Sequence, residues 1–317
     1  MKGKVQILKS LLPFGFSAIS LILELALPNG RNSSEVPYFV YFLCFLCAFT
    51  LIMSVIGIFS KKIREVQAYK SYFRCGVIVL LTLLNLLTAK FNVLPMIFFP
   101  APSRIISVMV EDSDLIIKCI FYSAKLLFTG FFGGALVGLA AGIAIGFSKT
   151  AAYWLSPLQR FLGPIPSTAW IPIVLIVFPD TVSASSFLIG LAVWFPTTLM
   201  TSSGINNISK SYFEVSETLG ANTFDKIFKI GVPAAMPNIF IGIFNGACSA
   251  FITLMTAEMI GAKYGIGWYV NWQKEMMSYA NVYAGLIIIA LIFSVLITLL
   301  FKIKDKVLVW QKGVIKW

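Results

Sequence analysis

The polar chemistry of this chain is concentrated in Glu214 to Pro233, EVSETLGANTFDKIFKIGVP. Glu214, Glu217 and Asp225 share the run with Lys226 and Lys229, and Gly220 and Pro233 punctuate it. Long apolar runs lie on both sides. Charge, amphipathic pattern and turn residues held between two such runs suit a docking surface for a soluble protein rather than a bond-making centre. Bond-making chemistry has little to draw on elsewhere. The chain has no His, and its acids and bases form no set of nucleophile, base and orienting group. The five cysteines, Cys44, Cys47, Cys75, Cys119 and Cys248, fall in or beside apolar runs. That placement fits small side chains packed between helices rather than a disulfide framework or a metal site. The nearest likeness to a phosphate-binding loop, GIAIGFSKT at 142–150, inserts Phe147 and Ser148 before Lys149 and follows no strand. ATP binding by this chain is not expected.

The 214–233 run predicts its own local structure. Residues 212–219 form a short helix, Gly220 supplies a turn, and Asn222 caps a second helix with Asp225 at its third position. Phe224, Ile227 and Phe228 give that second helix an apolar stripe. Pro233 is expected to stop it before the next apolar run. An exposed Phe224/Phe228 face is uncomfortable in a bare linker and points to a partner.

The elements that hold this loop are membrane-like. Of 317 residues 58% are hydrophobic and 12% charged, against about 25% charged in soluble domains. Mean hydropathy is +0.88. Eight segments, roughly 8–28, 37–60, 75–91, 120–147, 163–179, 184–203, 235–258 and 281–301, approach the length of about 20 residues that crosses a hydrocarbon core. Net charge is +12, but the basic residues track the segments between spans, which argues against nucleic acid. With the N-terminus inside, 18 of 25 Lys and Arg fall on the inner side, including Lys2, Lys61, Lys62, Arg64, Lys149, Arg160, Lys302, Lys312 and Lys316. Six, among them Arg31, Lys90 and Arg104, fall outside. That bias places both termini in the cytoplasm. Residues 61–74 read as a basic cytoplasmic loop, and Ser103 onward as the start of a short interfacial helix.

Three patterns mark the spans. Gly130, Gly134, Gly138, Gly142 and Gly146 recur every four residues on one helix face, a groove that admits a close neighbour. That helix is expected near the centre of the fold. Pro164, Pro166, Pro172 and Pro179 punctuate 163–179, with Trp170 among them, so this segment requires protein neighbours or a cavity. Asn245, Ser249 and Thr256 form a polar stripe in 235–258. Pore lining by that stripe, with Pro166 and Trp170, and a helix–helix hydrogen-bond seam both remain open. Glu24 and Glu258 are the two acids that an ion-coupled carrier would use.

The 214–233 run resembles the EAA motif of ABC importer permeases, E-A-A-x(3)-G-x(9)-I-x-L-P. The matching residues are Glu214, Val215, Ser216, Gly220, Ile230, Val232 and Pro233, with Val215 and Ser216 in place of the alanines and Val232 in place of leucine. LPMIFFPAPSRI (94–105), LSPLQRFLGPIPSTAWIPI (155–173) and AEMIGAKYGIGW (257–268) are similar to the branch serving nitrate, aliphatic sulfonates, taurine, and thiamine or riboflavin precursors. The resemblance implies an all-α polytopic membrane protein with a type I ABC importer permease core and about eight transmembrane helices. It implies an N-terminal transmembrane extension over 1–90, a core over 91–310 and a cytoplasmic coupling loop over 205–234. It further implies a dimer, most simply a homodimer, two cytoplasmic ATPase subunits carrying ATP and Mg, an extracytoplasmic substrate-binding protein, and location in the inner membrane of a prokaryote. Glu214 and Gly220 would be the coupling residues, with Phe224, Asp225 and Phe228 on the docking face. An ion-coupled secondary transporter and a non-transporting membrane scaffold are the alternatives. Substrate chemistry stays open between a small anion and a pyrimidine.

Overall fold

The computed structural model describes residues 2–30 and 38–310; the basic residues Arg31, Lys312 and Lys316 lie outside them. The described residues are helical throughout, without a strand. They divide into two compact units, Met1–Ser113 with Gln273–Ala284, and Asp114–Trp272 with Gly285–Trp317.

In the first unit, α1 (Lys2–Ala26), α2 (Tyr38–Phe59) and α3 (Lys61–Asn85) pack together, followed by α4 (Pro102–Glu111). Their lipid-like exteriors provide no hydrophobic drive for association, so polar contacts between helices carry specificity. The Ser17 and Thr50 hydroxyls meet at 3.1 Å, Ser20 and Thr82 at 2.7 Å, and the Ser54 hydroxyl donates to the Ser10 carbonyl at 3.0 Å. Glu24 is tied in the same way: Lys90 Nζ lies 3.2 Å from its carboxylate, and Asn85 donates to the other oxygen. The expected basic loop over 61–74 is instead the first half of α3, which continues through a widened turn, Leu86–Lys90, to give a span over Ile63–Lys90. Lys and Arg are good helix formers, so basic character alone did not mark a loop. Pro102 opens α4 in place of a serine cap, its missing N–H falling where none is needed.

The second unit is built on α5 (Ser113–Phe147), α8 (Thr181–Asn206) and α11 (Val232–Gly261). The five spaced glycines of α5 all face α8. A Cβ on Gly138 would stand 2.9 Å from Thr197 Cβ and 3.0 Å from the Trp194 carbonyl; one on Gly146 would stand 2.7 Å from Ile205 Cγ2. The backbones therefore approach closely enough for the Thr198 hydroxyl to donate to the Gly138 carbonyl at 3.2 Å. On its other side α8 receives Gly242 of α11, whose Cβ would meet Met200 and the Pro196 carbonyl at 2.9 and 3.0 Å. The central helix of this unit is thus α8, held between α5 and α11, rather than α5 itself. Leu126, Leu127, Ala135, Ile189, Val193, Ala250 and Leu254 form the core of the three.

The expected span at 163–179 is broken. After α6 (Lys149–Leu162) the chain passes through a 3-10 turn, Ser167–Trp170, into the seven-residue α7 (Ile171–Val177), and the two arms are bent by 85°. The second arm covers 167–177, which spans about 17 Å against a hydrocarbon core of about 30 Å. Pro164 and Pro166 remove donors at the break, so the helix cannot be continued beyond Gly163, which still has helical backbone angles. Among the described residues seven helices are long and apolar enough to cross a membrane, eight crossings if the bent pair counts as one.

Candidate functional site

The 205–234 loop forms as two short arms. α9 (Lys210–Thr218) ends at Leu219, and Gly220 follows at φ +81°. The Gly220 N–H donates to the Glu217 carbonyl at 3.0 Å and the Ala221 N–H to the Ser216 carbonyl at 2.9 Å. This pair is the Schellman ending, in which a left-handed residue satisfies the carbonyls a helix leaves bare. Asn222 then accepts the Asp225 N–H at 2.8 Å and starts α10 (Thr223–Asp225). Lys226 reaches back across the turn to Glu217 at 2.7 Å and locks the two arms, while Lys229 pairs with Asp225 at 2.6 Å.

Pro233 does not stop the second arm. The helix widens to a π turn over Lys226–Gly231 and runs into α11, so Thr223–Gly261 is one 39-residue span. The π turn shifts the hydrogen bonding where the missing Pro233 N–H would otherwise leave a gap, and proline is tolerated in a helix's first turn. Ile230 and Val232 are partly buried, and Val232 packs beside the cluster of Ile205, Ala235 and Ile239.

The exposed face of the loop is apolar and aromatic. Phe224 and Phe228 are 64% and 50% exposed with ring centroids 4.5 Å apart. Tyr212, Val215 and Leu219 extend the exposed surface along the first arm. Glu214 is exposed and in no ion pair among the described residues. Ser216 is buried, its hydroxyl donating to the Phe213 carbonyl at 2.7 Å, so that position takes a small side chain while Val215 faces out. Tyr212 and Leu219 were missed from the sequence; large apolar residues inside a charged run were the available signal.

The residues proposed for a pore separate. Pro166 and Ser249 line one cavity of about 370 Å³, together with Ser167, Thr168 and Thr253. The Ser167 and Thr253 hydroxyls meet at 2.6 Å across it. Trp170 packs instead beside Ile171, Val174 and Leu188. Asn245 is exposed, and the Thr256 hydroxyl donates to the Ile252 carbonyl within its own helix. A second cavity of about 510 Å³ lies at the loop end of α8, between α6 and the last turns of α8. Phe195 lines both cavities, and its ring lies against Gly163, where even a Cβ would strike it. The break at 163–166 therefore shapes the wall they share. Asp180, ahead of α8, accepts the backbone and side-chain hydrogen bonds of Ser183, which hold its carboxyl below the ordinary carboxylate range.

Glu258 is fully buried and accepts the Gly267 N–H at 2.8 Å. Gly265, at φ +133°, and Gly267 leave room for its carboxyl: a Cβ on either would fall 2.6 or 3.1 Å from a Glu258 oxygen. The glycines of AEMIGAKYGIGW thus wrap that acid.

A family model described as the binding-protein-dependent transport system inner membrane component matches residues 134–307. The putative aliphatic sulfonates transport permease protein of Bacillus subtilis is 31% identical over 184 residues, 58% of this chain and 67% of that protein. A putative ABC transporter permease protein of Methanocaldococcus jannaschii is 30% identical over 223 residues, 68% and 84% of the two chains. The nitrate import permease protein of Leptolyngbya laminosa is 30% identical over 206 residues, 59% and 74%. Among solved structures, an inward-facing MetNI methionine ABC transporter chain superposes with a TM-score of 0.53 at 16% identity, covering 62% of this chain and 98% of its own; it speaks to fold alone. With apolar spans, a two-armed loop and a match over more than half its length, the chain belongs to the family of inner-membrane components of binding-protein-dependent transport systems.

Proposed function

We propose that this permease subunit imports a small polar solute of the nitrate, sulfonate, taurine or vitamin-precursor kind, driven by ATP hydrolysis on a separate subunit. Two copies form the pathway, two ATPases receive the 205–234 loops, and an extracytoplasmic binding protein delivers the solute. Both termini lie in the cytoplasm. ATP and Mg belong to the ATPase; this chain supplies the docking face and the route. The observation that carries the reading is the Schellman turn at Gly220, which presents Phe224, Phe228 and unpaired Glu214 on a locked two-armed projection. A solvent-exposed pair of touching aromatics of this kind is typical of a protein interface. The relatives named for sulfonate and nitrate support a cargo that bears an oxyanion.

An ion-coupled carrier is less well supported. Glu24 is committed to Lys90 and Asn85, and Glu258 accepts the Gly267 N–H through one oxygen in a pocket closed over it by Gly265 and Gly267. The test is Phe224→Asp. Association with the cognate ATPase, read by co-purification from detergent, is expected to fall at least about tenfold, the loss of roughly 1.4 kcal/mol from one central interface aromatic. Membrane insertion and elution volume should not change. Wild-type association in that variant would overturn the docking role.

A further inference from the structure

The cavity at the loop end of α8 has a lining that the docking role does not use. Arg160, in the last turn of α6, lines it and makes no ion pair among the described residues. Gln159 beside it is 5% exposed, and its Nε2 is buried without a hydrogen-bond partner. Ser156, Ser203 and Asn206 add hydroxyl and amide donors, while the Ser202 hydroxyl donates to the Leu199 carbonyl, and none of the described residues lining the cavity is acidic. A buried amide donor without an acceptor carries a desolvation cost of about 1–3 kcal/mol, so its retention in a residue that lines a cavity suits an occupant that accepts hydrogen bonds. A guanidinium beside it adds charge and a planar fork suited to paired oxygens.

We propose that this cavity is an oxyanion subsite, in which Arg160 selects charge and Gln159 supplies a buried donor, so that the solute passing it is a small nitrate- or sulfonate-like anion. The inference rests on the permease reading in taking the cavity as part of the transport route. Phe195 bounds the subsite and is shared with the Ser167–Thr253 cavity, so an anion leaving one would enter the other past that ring.

Arginine-specific labelling tests this on the purified full-length chain, with no ATPase present. The sequence has five arginines, and peptide mass spectrometry separates Arg160 from the exposed Arg104, which pairs with Glu111. Phenylglyoxal modification of Arg160 should be slowed by nitrate and by ethanesulfonate relative to chloride at equal ionic strength. Their neutral counterparts of similar shape, urea and dimethyl sulfone, should not slow it, and Arg104 should serve as the unprotected control. Gln159→Leu should raise the protecting concentration about tenfold, the loss of one hydrogen bond to a charged group. Gln159→Glu, which adds a repelling carboxylate, should abolish protection. Equal protection by the neutral analogues, equal protection at Arg104, or unchanged protection in Gln159→Leu would each overturn the subsite. A chain that couples normally to its ATPase but shows no protection sinks the subsite alone. Protection in a chain that binds no ATPase sinks the importer reading and leaves the subsite standing.

Discussion

Gly220 offers a perturbation whose cost is almost purely conformational. It stands at φ +81°, and no heavy atom lies within 4 Å of where a Cβ would be built. A side chain there meets no neighbour, so the cost is that of placing an L residue in the left-handed region, about 1–2 kcal/mol. A β-branched residue sits at the upper end, and Asn at the lower, because its short polar side chain tolerates that region. One to two kcal/mol is a factor of about 5–30 in population. The population at risk is the turn itself: the Gly220 and Ala221 hydrogen bonds to α9, and with them the Lys226–Glu217 pair that joins the arms. Packing of α5, α8 and α11 is untouched, so insertion and thermal stability of the spans should persist. With the permease, its ATPase and its binding protein in proteoliposomes, solute moved per ATP hydrolysed should fall in the order Gly, Asn, Ala, Val. Wild-type coupling in Gly220→Val would refute the reasoning. So would an Asn variant as impaired as Val, since sequence order rather than backbone geometry would then be at work.

Two further outcomes test the scaffold. Gly134→Ala drives a methyl into the Gly190 backbone and should lower stability by about 1–3 kcal/mol, whereas Gly133→Ala, with nothing within 4 Å, should stay within about 1 kcal/mol of wild type; thermal unfolding in detergent reads both. Asp180 caps α8 with a carboxyl held below its ordinary range, so its contribution is complete above the unfolded value of about 4 and is lost as pH falls through the lower folded value. Asp180→Asn keeps the cap and removes that acid dependence, which hydrogen exchange at the first turn of α8 will register.

Much of this architecture was legible because lipid makes demands that sequence cannot hide. Length and apolarity located the spans, and four-residue spacing located the α5 glycines that meet α8. Gly220 and Asn222 announced a turn and a cap because few other residues do those jobs cheaply. The misreadings came where context overrides a local rule. Prolines at 164 and 166 left a broken span and a kinked one equally open, and two within three residues, after Gly163, break the helix outright. Pro233 was read as a stop, yet a widened turn ahead of it absorbs the missing donor. Residues 61–74 were read as a loop by charge although nothing in them breaks a helix. The stripe of Asn245, Ser249 and Thr256 could not tell which face meets a cavity. Only Ser249 does, because its partners Ser167 and Thr168 come from the broken segment some eighty residues earlier. Gln159 and Arg160 lie inside the 155–173 run that carries the resemblance, but nothing in that run shows which of its residues face a cavity.

The helix that continues from Thr223 through its widened turn to Gly261 makes the two sides of the loop mechanically unequal. On one side Asn207, Ile208 and Ser209 separate α8 from α9, a short pivot. On the other there is a stiff strut, with Phe224 at its tip and Thr253 about 45 Å further along its axis. In the proposed docking, a tug on the tip passes through the widened turn at Lys226–Gly231 and along the strut to the wall of the Ser167–Thr253 chamber, like a crank with the pivot as its bearing.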